Sequence, residues 1–261
     1  MGQEGPPVTT AVIITASSGA ADANGVALDL LSNRYAIEIA IERARATPGA
    51  ALVACVIPHG EAEEPLAEVA LDAGAFVTRA RPDAPLWGLA KAAREAGADR
   101  VLHVPGVQPF FDSVIAGGVL ALLADSEADI ATNFAPALFP DGLDCEAVSA
   151  AMLSAITVET QGVRLLDAFD GARLANLRGP GGGMERLRWR LEHEADFVFA
   201  RAVHAALGPA ACKAGAAEIA GLCLRRPDIA ALNIDLVDQG RLSASDRGAA
   251  QTRPVSFLRA A

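Results

Sequence analysis

Short apolar segments that alternate with helical patterns constrain the fold of this chain more than any other feature. The first segment, Ala11 to Thr15, is rich in β-branched residues and leads into the small-residue stretch ASSGAADANG. Such nearly all-apolar runs are typical of parallel strands that helices cover on both faces. The pattern therefore predicts an α/β fold with a mostly parallel sheet. The predicted elements are a helix over 30–41 that ends before Pro48, strands at 51–57, 75–78, 100–104 and 128–132, and helices at 61–73, 85–96 and 112–123.

The alternation becomes irregular after residue 132. A Pro-Asp-Gly turn in FPDGLDCE (139–146) precedes a possible strand, 187–191 has the pattern of another strand, and 193–207 has the spacing of a helix. Two short helices are predicted beyond it. We therefore divide the chain into a flexible N-terminus (1–10), the α/β domain (11–207), a small helical C-terminal appendage (208–242) and a flexible tail (243–261).

Composition indicates a soluble, cytoplasmic protein with one large core. Hydrophobic residues make up 52% of the chain, yet no apolar run reaches the ~18 residues of a membrane span, and no signal peptide is recognisable. Four well-separated cysteines argue against a zinc site or a dense disulfide framework, so we expect them to be reduced. A net charge of −10 makes nucleic acid an unfavourable partner, and no basic residue precedes Arg34.

Several segments resemble, in order and separation, the spore-coat polysaccharide F family of cytidylyltransferases. They are AVIITASSGAADANGVAL, VLHVPGVQPFFD, FPDGLDCE, LRWRLEHEADFVFARAV and RRPDIAALN, which together span roughly residues 11 to 240. That family is similar to the sugar-acid cytidylyltransferases, which transfer a cytidylyl group from CTP to an acidic sugar with magnesium. The resemblance implies a Rossmann-like fold of the nucleotidyltransferase type and a nucleotide or nucleotide-sugar ligand.

The loop after the first strand departs from that family's pattern. The family sequence QARMGSTRLPGK corresponds here to Thr15 through Val26, where both glycines remain and every cation is absent. A triphosphate in such a loop is held by backbone N–H groups together with Lys or Arg. The loop is therefore either a remnant of a phosphate cradle or a small-residue connection. Its candidate nucleotide-binding residues, with two from the next motif, are Ala16, Ser17, Ser18, Gly19, Gly25, Gly106 and Gln108.

The family's metal motifs are also altered. The TGDCP motif that supplies a magnesium-binding aspartate reads PGVQP here, with Val107 at the aspartate position. Valine cannot ligate a hard cation, which requires oxygen donors. A DTPED-like motif corresponds to 192–196, where Glu192 and Asp196 form a possible acidic remnant or belong to an ordinary first helical turn. A family REHVT segment is not recognisable near residues 158 to 166. We therefore assign no metal site, and expect magnesium only if the chain is active.

FPDGLDCE is the motif that matches best. Its acidic residues Asp141, Asp144 and Glu146 are candidates for the acceptor-sugar side of a cleft, with a turn and a structural hydrogen-bond network as the alternative. His103, at the end of a predicted strand, is read as a structural histidine rather than a ligand contact.

Other residues have simpler readings. The arginines at 186, 188 and 190 alternate along the predicted strand, and a solvated strand face is favoured over an anion site. Trp87 and Trp189 are read as core or interface residues.

Two functions follow from these observations. The favoured one is a divergent member of the cytidylyltransferase family that has lost magnesium–CTP transfer and acts as a binding or regulatory homologue. The alternative is an active nucleotidyltransferase or nucleotide-sugar-dependent transferase in surface-glycan precursor synthesis. A deep cleft where Asp141, Asp144, Glu192 and a cation converge favours an enzyme, and a cleft plugged by Val107 and Phe110 favours the first.

An interaction module would instead expose an apolar patch on the C-terminal helices, formed by Ile219, Leu222, Leu224 and Ile229. A homodimer is one assembly that the sequence allows.

Overall fold

The computed structural model of the protein describes residues 8–18 and 26–238. The predicted flexible tail and most of the predicted flexible N-terminus lie outside these residues. The strands are β1 (Thr10–Thr15), β2 (Leu30–Leu31), β3 (Arg34–Tyr35), β4 (Leu52–Pro58), β5 (Phe76–Ala80), β6 (Arg100–Pro105), β7 (Ile130–Thr132), β8 (Glu146–Ser149) and β9 (Leu174–Asn176). The α-helices are α1 (Ala36–Arg45), α2 (Glu64–Asp72), α3 (Pro85–Glu95), α4 (Ser113–Asp125), α5 (Ala150–Leu153), α6 (Leu165–Ala168), α7 (Glu194–Leu207), α8 (Ala216–Arg225) and α9 (Pro227–Ala230). Single 3-10 turns lie at Val26–Leu28, Glu61–Glu63, Met184–Arg186, Gly208–Cys212 and Ala231–Leu236.

Seven strands form one sheet in the order β5-β4-β1-β6-β8-β7-β9. The strands β5, β4, β1 and β6 are parallel, and each returns to the sheet through a helix. Strand β8 lies antiparallel between β6 and β7, and β9 pairs parallel with β7. The prediction of a mostly parallel sheet with covering helices is confirmed. Strand β8 supplies the antiparallel pairing because FPDGLDCE reverses the chain just before it.

The core consists of two layers, one on each face of the sheet. On one face, Leu86 and Leu89 of α3 pack against Ile13 of β1. On the other face, α1, α4, α7 and α8 contribute to a larger cluster that includes Ile37 and Phe199. Burial on both faces explains why the central strands are apolar at successive positions instead of alternating. In the described residues no helix has both the length and the apolar content of a membrane span.

The first predicted helix begins later than expected. Leu30 and Leu31 lie in β2, which pairs with β3 in a small antiparallel hairpin, and α1 begins only at Ala36. Ser32 and Asn33 form the two-residue turn with φ values of 52° and 68°. Positive φ at both central residues suits a tight hairpin and ends any helix there. The helical spacing of Leu30 and Leu31 was therefore misleading.

The predicted strand over 187–191 is also wrong. This segment follows the 3-10 turn Met184–Arg186 in extended form, and its ladder is reduced to one parallel bridge between Arg188 and Asp141. Its alternating arginines do not form a solvated face, because Arg188 is buried at 5% exposure. Arg186 extends into solvent, whereas Arg190 is partly exposed.

The C-terminal helices share the large core cluster. Ile219, Leu222 and Ile229 are buried in it, whereas Leu224 is 85% exposed. The apolar patch expected for an interaction module is therefore not formed by these four residues. A buried arginine ties this region to α1, since Arg43 donates hydrogen bonds to the carbonyl oxygens of Phe111 (3.1 Å), Ala211 (2.8 Å) and Ala214 (2.9 Å).

A histidine of α7 makes the fold sensitive to mild acid. Burial, together with the positive charge of Arg43, lowers the pKa of His204 to about 4. Its Nδ1 lies 3.1 Å from the Ser32 hydroxyl, and its ring packs on Phe110. An unfolded histidine titrates near 6.5. A depressed pKa means that the contribution of neutral His204 is complete above pH 6.5 and is lost as the pH falls towards 4.

We expect His204→Gln to reduce the loss of stability between pH 6.5 and 4 by on the order of 2 kcal/mol, because glutamine does not titrate. Urea unfolding at several pH values measures this. His59→Gln, at an exposed histidine, is the matched control. Equal pH slopes for wild type and His204→Gln would contradict the assignment.

Candidate functional site

A cleft of about 470 Å³ opens where β1, β4, β5 and β6 end. Ligands bind at this edge of open α/β sheets because the loops that follow the carboxyl ends of parallel strands converge there. Its lining comprises Thr15, Ala16, Ser17, Val56, Pro58, Ala80, Arg81, Pro82, Pro85, Pro105, Gly106, Val107, Gln108, Asp141, Gly142, Asp144, Val163, Arg164, Arg190, Leu191 and Glu192.

The first wall is the start of the loop after β1. Ala16 and Ser17 line the cleft, and the Ala16 N–H donates to the Val56 carbonyl at 2.9 Å. Ser18 turns away to the buried carboxylate of Glu63, which accepts hydrogen bonds from its backbone N–H (2.7 Å) and hydroxyl (2.9 Å). The candidates Gly19 and Gly25 lie outside the described residues. A carboxylate thus takes the donors of Ser18, and sequence reasoning did not identify Glu63.

The second wall follows β6. Gly106 has a φ of +78°, and its N–H donates to the Thr15 carbonyl at 3.0 Å. Val107 lines the cleft without closing it, and Phe110 lies in the core instead, with its ring edge against Trp189. The side-chain amide of Gln108 donates to the Pro105 (3.2 Å) and Asp144 (3.1 Å) carbonyls. The cleft is therefore open at the positions expected to plug it.

FPDGLDCE forms the third wall because its glycine admits a close backbone approach. The Asp141 N–H donates to the Leu187 carbonyl (3.0 Å), and the Trp189 N–H donates to the Asp141 carbonyl (2.6 Å). Gly142 has a φ of +108°, and a Cβ there would lie 2.4 Å from the Arg190 nitrogen. Only glycine fits this position. The approach places the Asp141 carboxylate beside Arg188 and Arg190.

Arg188 is the centre of a buried ionic network behind the cleft. Its guanidinium donates to Asp196 (2.8 and 2.9 Å), to Glu192 (3.0 Å) and to Asp141 (3.3 Å). Asn233 donates to the Arg188 carbonyl and to Asp196, both within 3.0 Å. Burial opposes charge on Asp196, but the hydrogen bonds from Arg188 and Asn233 outweigh it and lower the pKa of that carboxyl.

Asp196 has a structural position rather than a place in the cleft. Its Oδ2 also accepts from the backbone N–H groups of Glu192 (3.1 Å) and His193 (3.0 Å), which caps the beginning of α7. The side chain is completely buried. Of the two members of the possible acidic remnant, only Glu192 faces the cleft.

Two half-exposed arginines supply positive charge inside the cleft. Arg190 forms an ion pair with Glu192, and its Nη1 lies 3.7 Å from Asp141 Oδ1. Arg164 lies 3.5 Å from Asp144 Oδ2, and its guanidinium stacks 4.6 Å above the Phe134 ring. Sequence reasoning missed Arg164, because it lies in the stretch near 158–166 where no motif is recognisable. A lone arginine before a four-residue helix offered no signal.

Glu146 of β8 and His103 of β6 are paired within the sheet and do not line the cleft. The carboxylate of Glu146 accepts hydrogen bonds from the Leu165 (2.6 Å) and Leu166 (3.0 Å) N–H groups at the beginning of α6. His103 Nδ1 lies 3.1 Å from the same carboxylate, and its Nε2 lies 3.2 Å from the Thr15 hydroxyl. Both residues are fully buried, so Glu146 does not share the cleft with Asp141 and Asp144.

Solved structures of nucleotidyltransferases share this architecture. A cytidylyltransferase from Leptospira borgpetersenii aligns with a TM-score of 0.77 at 14% identity, over 85% of this chain and 97% of that one. The CMP:2-keto-3-deoxy-manno-octonic acid synthetase complexed with CTP gives 0.58 at 16%, over 76% and 99%. The 4-diphosphocytidyl-2C-methyl-D-erythritol synthase from Anaerococcus prevotii gives 0.55 at 14%, over 76% and 98%. The chain has the nucleotidyltransferase fold. No model of a known protein family and no curated protein sequence matches it.

The magnesium that the family resemblance implies does not fit this cleft. Asp141 and Glu192 are held by Arg188 and Arg190, Asp144 is paired with Arg164, and Val107 offers no oxygen. Magnesium requires several oxygen ligands in near-octahedral geometry. No group of three His, Cys, Asp or Glu side chains suited to a metal ion occurs in residues 8–18 and 26–238.

Proposed function

We propose that this nucleotidyltransferase-fold protein binds a nucleotide or nucleotide sugar in the cleft and does not catalyse magnesium-dependent transfer from CTP. The observation that carries the proposal is the occupation of the cleft carboxylates by arginines, with Val107 at the position of the family's metal-binding aspartate. The cleft is large enough for a ligand, since small-molecule sites are typically about 300–1,000 Å³. Such a protein would act as a binding or regulatory homologue in the cytoplasm, where nucleotide sugars are made.

Loss of the phosphate cations supports the same conclusion. Ser17 lines the cleft where the family has an arginine, and Glu63 accepts the hydrogen bonds of Ser18 beside it. A triphosphate carries about four negative charges and needs cations or a metal to neutralise them as charge develops. The buried carboxylate of Glu63 near the loop repels a triphosphate instead of neutralising it.

A second candidate is an active nucleotidyltransferase or nucleotide-sugar-dependent transferase for surface-glycan precursors. The convergence of Asp141, Asp144 and Glu192 with Arg190 in one open cleft favours it. In that case the carboxylates would position an acceptor hydroxyl, and the arginines would neutralise the leaving phosphate.

A thermal-shift titration separates these functions. We expect a nucleotide sugar or CMP to raise the melting temperature, because a ligand that binds only the folded state stabilises it. CTP should give no additional rise when magnesium is added. A magnesium-dependent rise with CTP would overturn the proposal. Enzymatic conversion of a nucleotide sugar to product, measured separately, would favour the second candidate.

Restoring the metal-binding aspartate alone should not restore activity. We expect Val107→Asp to release no measurable pyrophosphate from CTP and magnesium, because the loop cations would still be absent and Arg190 would still hold Glu192. Val163→Asp, which adds a carboxylate elsewhere on the cleft lining, is the control. Appreciable turnover of CTP by Val107→Asp would contradict both the prediction and the proposed function.

A further inference from the structure

We propose that Arg190 takes the place of a divalent metal in this cleft and that, together with Arg164, it binds the phosphate groups of the ligand without metal. The inference rests on the proposed function and names the residues that carry it. The ligand would be a nucleoside diphosphate or its sugar conjugate, because two guanidinium groups in one cleft suit a diphosphate.

Arg190 lies between two of the carboxylates that line the cleft. Its guanidinium contacts Glu192 directly and reaches towards Asp141, and these two cleft carboxylates belong to different segments of the chain. Two neighbouring carboxylates are both kept charged by a cation between them; Arg188 is one such cation behind the cleft, and Arg190 is the one on the cleft side. The arginine supplies that charge permanently, since guanidinium does not deprotonate in proteins.

The guanidinium of Arg190 also remains accessible to a ligand. Its side chain is 35% exposed, in contrast to the 4% of Arg188 behind it. A guanidinium has five N–H donors in a planar fork, so pairing with Glu192 leaves donors for phosphate oxygens. Arg188 donates to the buried Asp196 and Asp141 and to the exposed Glu192, so its role is to support the cleft side chains from behind.

The backbone of Arg190 is fixed before any ligand arrives. The neighbouring residue, Trp189, is completely buried, and its backbone N–H donates to the Asp141 carbonyl. Gly142 packs so closely on residue 190 that no side chain fits between the two segments. A preorganised cation loses little conformational freedom on binding, and this favours its affinity for phosphate.

Arg164, which immediately precedes α6, provides the second cation from a different segment of the chain. It pairs with Asp144, three residues after Asp141, so the two arginines flank the same loop. Stacking on the Phe134 ring orients its guanidinium, and its side chain is 33% exposed. Arg81 is a weaker candidate because it lies in an exposed ion pair with Asp83.

The test uses inorganic pyrophosphate and Mn²⁺ as separate probes of the full-length protein. By calorimetry we expect wild type to bind pyrophosphate equally well with and without EDTA. Arg190→Ala should weaken pyrophosphate binding at least tenfold, and Arg164→Ala should weaken it by a smaller factor. Arg186→Ala, an exposed arginine four residues away, should leave it unchanged.

Metal binding should change in the opposite direction. Removal of the Arg190 guanidinium takes one positive charge from beside Glu192 and Asp141, which then keep only Arg188 as a partner, so Arg190→Ala should bind Mn²⁺ more tightly than wild type in an electron paramagnetic resonance titration. Far-ultraviolet circular dichroism and melting curves show that the variant is folded before either titration.

Three results would overturn the inference. They are pyrophosphate binding by wild type only in the presence of Mn²⁺, equal pyrophosphate affinity in wild type and Arg190→Ala, and no pyrophosphate binding by wild type at all. None of these decides the proposed function, which stands or falls on the thermal shift with nucleotides and nucleotide sugars.

Discussion

Alanine at position 142 should destabilise the protein by about 2–5 kcal/mol and abolish the ligand-induced thermal shift. A residue with a Cβ is strained at the φ of +108° that Gly142 adopts, at a cost of roughly 1–2 kcal/mol. The new Cβ would also lie 2.4 Å from the Arg190 nitrogen and 2.6 Å from the Trp189 carbonyl carbon. Backbone atoms cannot move aside as a flexible side chain can, and overpacking of this kind typically costs a further ~1–3 kcal/mol.

Gly171→Ala is the matched control for backbone strain. Gly171 also has a positive φ, +74°, but a Cβ there would meet nothing within 4 Å. We expect it to cost about 1–2 kcal/mol and to leave ligand binding intact. Urea unfolding of both variants measures the difference. Equal losses would show that Arg190 and its segment move freely, which would contradict the rigid site described above.

Replacing Arg188 by methionine should destabilise the protein by about 3–5 kcal/mol at pH 7. The substitution preserves much of the side-chain volume, yet it leaves the buried carboxylates of Asp196 and Asp141 without their common partner. Removing one member of a buried ion pair is strongly destabilising for this reason. Arg186→Met, at an exposed position in the same segment, should change stability by no more than about 0.5 kcal/mol.

The pH dependence of this loss provides a separate check. In wild type the pKa of Asp196 is lowered, so its contribution is present above the unfolded value near 3.9 and is lost as the pH falls below it. Without Arg188, we expect burial to outweigh the remaining hydrogen bonds from Asn233 and the His193 N–H and to raise the pKa of Asp196, so that this carboxyl becomes neutral in mild acid. The stability difference between wild type and Arg188→Met should therefore shrink from pH 7 to pH 5. A constant difference would mean that Asp196 stays charged in the variant.

The regular part of the fold follows directly from local sequence patterns. Strands such as Leu52–Pro58 are continuous apolar runs, and α3 and α4 have helical apolar spacing with clear ends. The hairpin over Leu30–Tyr35 was not predicted because its leucines also fit the spacing of a helix. The chain forms a hairpin instead of a helix here because Ser32 and Asn33 adopt a left-handed backbone conformation. The spacing of apolar residues does not reveal that conformation.

The site was only partly predictable because its chemistry depends on pairings between distant segments. Of the candidates on described residues, Ala16, Ser17, Gly106, Gln108, Asp141, Asp144 and Glu192 line the cleft, whereas Ser18, Glu146 and Asp196 lie outside its lining. Glu146 and Asp144 are both acidic residues of the same motif, but Glu146 is the first residue of β8 and Asp144 lies in the loop before it, so only Asp144 lines the cleft. The alternating arginines suggested a single solvated face, and the packing of Gly142 gives Arg188 and Arg190 different roles.

The three carbonyl oxygens that Arg43 contacts affect how the protein is made. Two of them, on Ala211 and Ala214, lie 168 and 171 residues further along the chain. While a ribosome is still producing the sheet, the guanidinium on α1 therefore has no complete set of acceptors and favours water over the core. We expect α1 to close fully against the sheet only after Ala211 and Ala214 have been synthesised, so one side of the core of the nascent chain stays open until then.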